Sequence, residues 1–214
     1  MLRSSSVFFG ALAALVLAAP ASSVTLSFDC ITDNIAGDCA IGEAQLSVEV
    51  TDIGGGQVLF EFMNSGASAS SIADVYFDDG TLLEIASLID ADDGIGGDAG
   101  VDFSPGASPP NLPGHDNISP VFQVTAGFSA DSDPPVQPNG VNPGEMLGVV
   151  FVLQDGGTFA DIVTELTNGD LRVGLHVQGF GSGGSESFVN DPVPEPGTVL
   201  LLGLGLVGLA ARRA

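Results

Sequence analysis

Lysine and tryptophan are absent from these 214 residues, and tyrosine occurs once. Basic side chains are confined to four arginines, of which Arg3, Arg212 and Arg213 lie at the chain ends. Between Asp29 and Glu195 all 27 acids face Arg172 alone, a formal net charge of −26. Such a field repels phosphate and leaves nothing basic to contact it, which excludes nucleic-acid binding. The shortage of tryptophan and tyrosine also weakens the case for a sugar-stacking platform, which usually uses these rings. With only two cysteines there is no C-x-x-C redox motif, and two isolated thiols make a poor metal site. No G-x-S-x-G turn, H-E-x-x-H helix or free cysteine paired with histidine is found, so the chain does not read as an enzyme. A carboxylate pair for glycan hydrolysis is the residual catalytic reading, and acids this abundant make any chosen pair uninformative.

What is present begins at the two ends. Arg3, the apolar run Val7 to Ala19, and small residues around Ala21-Ser22-Ser23 form the pattern of a secretory signal peptide, residues 1–23. Thirteen apolar positions are too few for a standard membrane span. At the other end, Asp191 to Pro196 places proline at every second position, which enforces an extended chain that cannot join a sheet. Thr198 to Ala211 then runs without a charge before Arg212 and Arg213. As a helix those fourteen positions reach roughly 21 Å, short of a ~30 Å hydrocarbon core. The arginine pair should stay cytoplasmic, with the rest of the chain outside.

Pro194-Glu195-Pro196, the leucine- and glycine-rich stretch and the terminal arginine pair, in that order, resemble the PEP-CTERM sorting domain. The resemblance covers about residues 192–214. It implies recognition by an exosortase, a membrane-embedded cysteine transpeptidase-like enzyme, with processing near Pro194, Glu195 and Pro196. It further implies a transmembrane intermediate held by residues 198–214. The host would be a Gram-negative bacterium that makes exopolysaccharide, and the destination its surface or biofilm matrix.

Residues 24–190 are one domain by size. Leu46, Val48 and Val50 alternate with polar neighbours; after Gly54-Gly55-Gly56, Val58, Phe60 and Phe62 face one way, while Leu59 and Met63 interrupt a clean polar face, and the pair predicts a β-hairpin. Further strands are expected over Thr25–Phe28, Ile72–Phe77, Leu82–Ser87, Val121–Ser129, Met146–Leu153 and Leu171–Phe180. Asp78-Asp79-Gly80 suits a tight hairpin turn between the Ile72–Phe77 and Leu82–Ser87 runs. One helix is expected at Phe159–Leu166, capped by Thr158 and ended near Asn168-Gly169. The predicted fold is all-β, an antiparallel, jelly-roll-like β-sandwich with one short helix. The stretch Asp90 to Pro120 reads as extended surface loop.

Cys30 and Cys39 in an exported chain read as a disulfide, worth roughly 2–3 kcal/mol for so small a loop. Asp90, Asp92, Asp93 and Asp98, with Asp102 nearby, cluster around glycine turns. They read first as a solvated acidic loop and second as a calcium site resembling half of an EF-hand loop, although Val101 stands where its final glutamate belongs. On the strand Leu171–Phe180, alternation places Arg172, His176 and Gln178 on one face. That trio either pairs internally with neighbouring acids or grips a sugar or carboxylate. Gly179 to Gly184 matches G-x-G-x-x-G, but no βαβ unit surrounds it, so the match is accidental. Two functional readings stand side by side: an acidic structural or interaction protein of the surface or matrix, with calcium as its potential cation, and a calcium-assisted carbohydrate-binding module with exopolysaccharide as ligand.

Overall fold

The computed structural model describes residues 22–79, 83–89, 100–125 and 127–191. The strands form two antiparallel sheets. The five-stranded sheet contains β1 (Ser23–Leu26), β3 (Leu46–Gly54), β4 (Gln57–Asn64), β9 (Met146–Leu153) and β6 (Leu83–Ile89), in that spatial order. The six-stranded sheet runs β2 (Phe28–Cys30), β11 (Glu186–Asn190), β10 (Arg172–Gln178), β5 (Ser71–Asp78), β8 (Ser129–Ser132) and β7 (Phe103–Pro105).

The hairpin expected from Leu46 to Phe62 is present: β3 and β4 pair Val48 with Phe62 and Val50 with Phe60. Their alternation turns Val48, Val50, Phe60 and Phe62 inward, where all four are 0% exposed. From the opposite sheet Val75, Phe77, Val173, Leu175 and Phe188 enter the same core. Phe77 sits among Phe60, Phe62 and Phe151 with ring centroids 4.7–6.0 Å apart, in edge-to-face geometry that favours aromatic pairs.

Several expectations are corrected. The run Thr25–Phe28 is two strands, because at Ser27 the chain leaves one sheet for the other; Ser27 donates its hydroxyl to Asp191 at 2.8 Å and accepts the Asp191 N–H at 3.0 Å. The strands before and after Asp78-Asp79-Gly80 do not form a hairpin, since β5 and β6 belong to different sheets. Residues 121–125 are not a strand. Phe122 and Val124 instead turn their side chains onto the outer face of the six-stranded sheet, and strand structure resumes at Ser129.

Three helices, not one, occur among the described residues. The expected one, α3 (Phe159–Asn168), buries Ile162 and Leu166 and ends at Gly169 in the left-handed region, φ 77°. The Asp161 carboxylate accepts the Thr158 N–H and hydroxyl at 2.8 and 2.7 Å, which holds it below the usual aspartate range. The others are α1 (Asp38–Gln45) and the single turn α2 (Val136–Asn139). Among the described residues no helix is long and apolar enough to cross a membrane; the expected signal peptide and terminal span lie outside them.

Candidate functional site

Strand β10 carries the polar trio on the outer face of the six-stranded sheet, and the fold separates its members. Between Arg172 and His176 lies Gly174, and the space above it is filled by Leu112 and Phe122. These belong to residues 106–124, which pack over Tyr76 and Val189 as a second small core. Glycine is required there, because a Cβ at 174 would stand 2.8 Å from Leu112 Cδ2 and 3.1 Å from Phe122 Cζ.

Arg172 fastens that roof. Its guanidinium pairs with Asp78, its register partner on β5. It also donates to the carbonyls of Pro120 and Val121 at 2.7 and 2.8 Å and lies 5.3 Å from the centre of the Phe122 ring. Charge-assisted bonds of this kind are roughly twice as strong as neutral ones. His176 donates through Nδ1 to Asp74 Oδ2 at 2.8 Å. Gln178 stands half-buried at the strand end, opposite Ser71. The trio is therefore not one continuous ligand face, and its two basic members are engaged with acids of the same sheet.

Around His176 a row crosses four strands: Asp131 on β8, Asp74 on β5, His176 on β10 and Ser187 on β11 stand in register. A serine, histidine and aspartate in sequence invite comparison with a nucleophilic triad. Ser187 is 1% exposed and its hydroxyl makes no hydrogen bond among the described residues, His176 included, so it is neither activated by His176 nor reachable by substrate. Asp131 is pushed up to about 6, first by burial, then by the charge of Asp74 and a hydrogen bond with it, and by Asp133. Burial, aided by Asp74 and Asp131, also holds the Tyr76 hydroxyl well above its ordinary value; that hydroxyl donates to the Pro109 carbonyl at 3.0 Å.

The disulfide Cys30–Cys39 is present, with Cα atoms 5.4 Å apart. Beside it Glu186, 1% exposed, accepts the Asn34 and Ile35 N–H groups at 2.9 and 2.8 Å and the Thr32 hydroxyl. Both sulfurs and Glu186 converge closely enough to suggest metal ligands, but sulfurs joined to each other cannot serve as thiolates. Glu186 thus anchors the stapled loop to β11. Sequence reasoning missed it because one acid among serines reads as solvent-exposed.

Of the acidic stretch weighed for calcium, Asp90, Asp92, Asp93 and Asp98 lie outside the described residues. Asp102 is described: its N–H donates to the Asn139 carbonyl at 2.9 Å and its carbonyl accepts the Asp133 N–H at 2.8 Å. The G-x-G-x-x-G string forms the connection from β10 to β11, where Phe180 enters the core at 3% exposure. Pro194, Glu195 and Pro196 also lie outside the described residues.

For that segment the decisive comparison is with known families. Residues 192–214 match the family model of the PEP-CTERM protein-sorting motif. The chain carries this sorting motif. A PEP-CTERM motif implies export and exosortase-dependent sorting at the membrane. No curated protein and no solved structure matches the chain.

Proposed function

We propose that this is a cell-surface or extracellular-matrix protein of an exopolysaccharide-producing Gram-negative bacterium, with a structural or interaction role rather than a catalytic one. In this reading the signal peptide of residues 1–23 starts export. Residues 198–214 hold a transmembrane intermediate, and an exosortase removes the tail near Pro194, Glu195 and Pro196. The acidic two-sheet domain, a jelly-roll-like β-sandwich, is the part delivered. The observation that carries this is the PEP-CTERM motif at residues 192–214, placed behind a disulfide-stapled domain.

The glycan-binding alternative needs a free polar face on β10. The engagement of Arg172 with Asp78 and of His176 with Asp74 favours the structural reading over it. Intact-mass analysis of the protein recovered from cells tests the proposal. The expected species has lost its N-terminus through Ala21 or Ser23, ends near Glu195 and has the mass of a disulfide rather than two thiols. Full-length product retained in the cytosol with both ends uncut would overturn it. Binding to the host's exopolysaccharide that is abolished by Arg172→Gln would instead establish the glycan module.

A further inference from the structure

The row Asp131, Asp74, His176 holds a feature that neither sorting nor fold requires. Asp74 is 1% exposed. One of its oxygens, Oδ2, accepts from His176; the other, Oδ1, is buried, and among the described residues no N–H or hydroxyl group donates to it. Directly opposite, across the β5–β8 pair, stands Asp131, its carboxyl within hydrogen-bonding reach of Asp74. Asp133 adds a third negative charge beyond it. The single arginine of the domain is committed to Asp78, and His176 reaches only Oδ2 of Asp74. A buried carboxylate with one oxygen left without an N–H or hydroxyl donor among the described residues, and with a second carboxylate as its cross-strand neighbour, is costly by itself. Oxygen donors of this kind suit a hard divalent ion.

We propose that Asp74 and Asp131 are the inner carboxylate ligands of a divalent-cation site, with calcium the fitting ion. Water completes the coordination shell, and Asp133 draws the ion toward the pair. His176 acts from behind as a positioning residue, fixing Asp74 through Oδ2 so that Oδ1 points at the ion. The site is separate from the acidic stretch Asp90 to Asp98, and it stands whether or not the sorting proposal does. Two inner carboxylates place its affinity in the range of extracellular calcium modules, roughly 0.1–1 mM.

The chain supplies its own reporter. Tyr76 is the sole tyrosine and tryptophan is absent; it lies two residues from Asp74 on the same face of β5, close enough to sense the charges of both Asp74 and Asp131. Terbium, a luminescent substitute for calcium, should emit on tyrosine excitation when it sits here. With the full chain at neutral pH, the expected result is saturable tyrosine-sensitised emission that calcium displaces. Asp131→Asn should reduce it at least tenfold, while Glu49→Gln on the other sheet should leave it unchanged. If Asp131→Asn does not fold, Asp131→Glu takes its place, with a tenfold shift in the calcium displacement midpoint expected. Absence of sensitised emission in the unsubstituted chain, or a signal indifferent to the change at Asp131 or to calcium, would overturn the site.

Discussion

The two sheets share one core but finish their outer faces differently. On the six-stranded sheet, residues 106–124 form a roof in which Leu112 and Phe122 are 0% and 1% exposed. On the five-stranded sheet, Leu59, Met63 and Met146 stay half-buried and Val152 is 36% exposed. There Glu49 and Glu61 face each other across β3 and β4. Each outer face has a glycine in mid-strand, put to a different use. Gly174 makes room for a second layer. Above Gly148, Ile89 and Leu59 of the neighbouring strands close the gap themselves: a methyl at 148 would meet Ile89 Cβ at 3.0 Å and Leu59 Cδ1 at 3.3 Å. Whether a strand face becomes interior thus depends on what the connecting segments bring to it, not on the pattern of the strand alone.

The sharpest test of that contrast is to remove the roof. Phe122→Ala should cost about 3–5 kcal/mol, as for other fully buried phenylalanines, whereas Leu59→Ala on the open face should cost about 1 kcal/mol. Urea unfolding of both variants measures the difference. Equal losses would mean that residues 106–124 do not function as core. Next in size is Arg172→Ala, expected to cost about 2 kcal/mol because it strands a mostly covered Asp78 and releases the Pro120 and Val121 carbonyls. Under limited proteolysis that variant should be cut first within 106–124.

The uneven legibility of the chain follows from the same contrast. The β3–β4 hairpin, β9, β10 and α3 are readable because their signals are local: alternation, glycine turns, a threonine cap and a terminating glycine. The sorting motif is readable because its features follow one another in sequence. Residues 121–125 mislead because Phe122 and Val124 alternate as in a strand, yet their burial comes from the face of a sheet built elsewhere. Strand β11 and Glu186 escape a sequence reading since Ser185 to Ser187 looks like linker, and what buries them is the stapled loop from Thr32 to Ile35. The Asp131–Asp74–His176 row is only partly visible. Alternation singles out His176, but Asp74 lies 102 residues from it in sequence, and Asp131 joins them only through strand register.

The paired glycines sharpen the comparison at smaller magnitude. Gly174→Ala drives a methyl into Leu112 and Phe122 and should cost about 1–3 kcal/mol by overpacking. Gly148→Ala meets the movable tip of Leu59 as well as Ile89, and it should cost less than about 1 kcal/mol. Thermal or urea unfolding of the two variants ranks them. A reversed order would show that the roof yields more readily than the neighbouring strands.

The smallest effects are electrostatic and have the same sign on both faces. Asp131 is raised from 3.8 to about 6, first by burial and then by Asp74. Glu61 is raised above 4.5, first by burial and then by Glu49. A carboxyl that binds its proton more tightly when folded than when unfolded lowers stability as pH rises above its unfolded value, and the loss levels off past the folded value. In chelator-containing buffer, Asp131→Asn should therefore raise the melting temperature at pH 7 and have little effect below pH 3.8. Glu61→Gln should give a smaller gain, a few tenths of a kcal/mol, since its face is open to solvent and like-charge cross-strand pairs cost little there. That gain should vanish below pH 4.5. Adding calcium separates the two faces again: it should remove the advantage of Asp131→Asn, because the unsubstituted chain then gains a ligand that the variant cannot hold, and leave the advantage of Glu61→Gln intact.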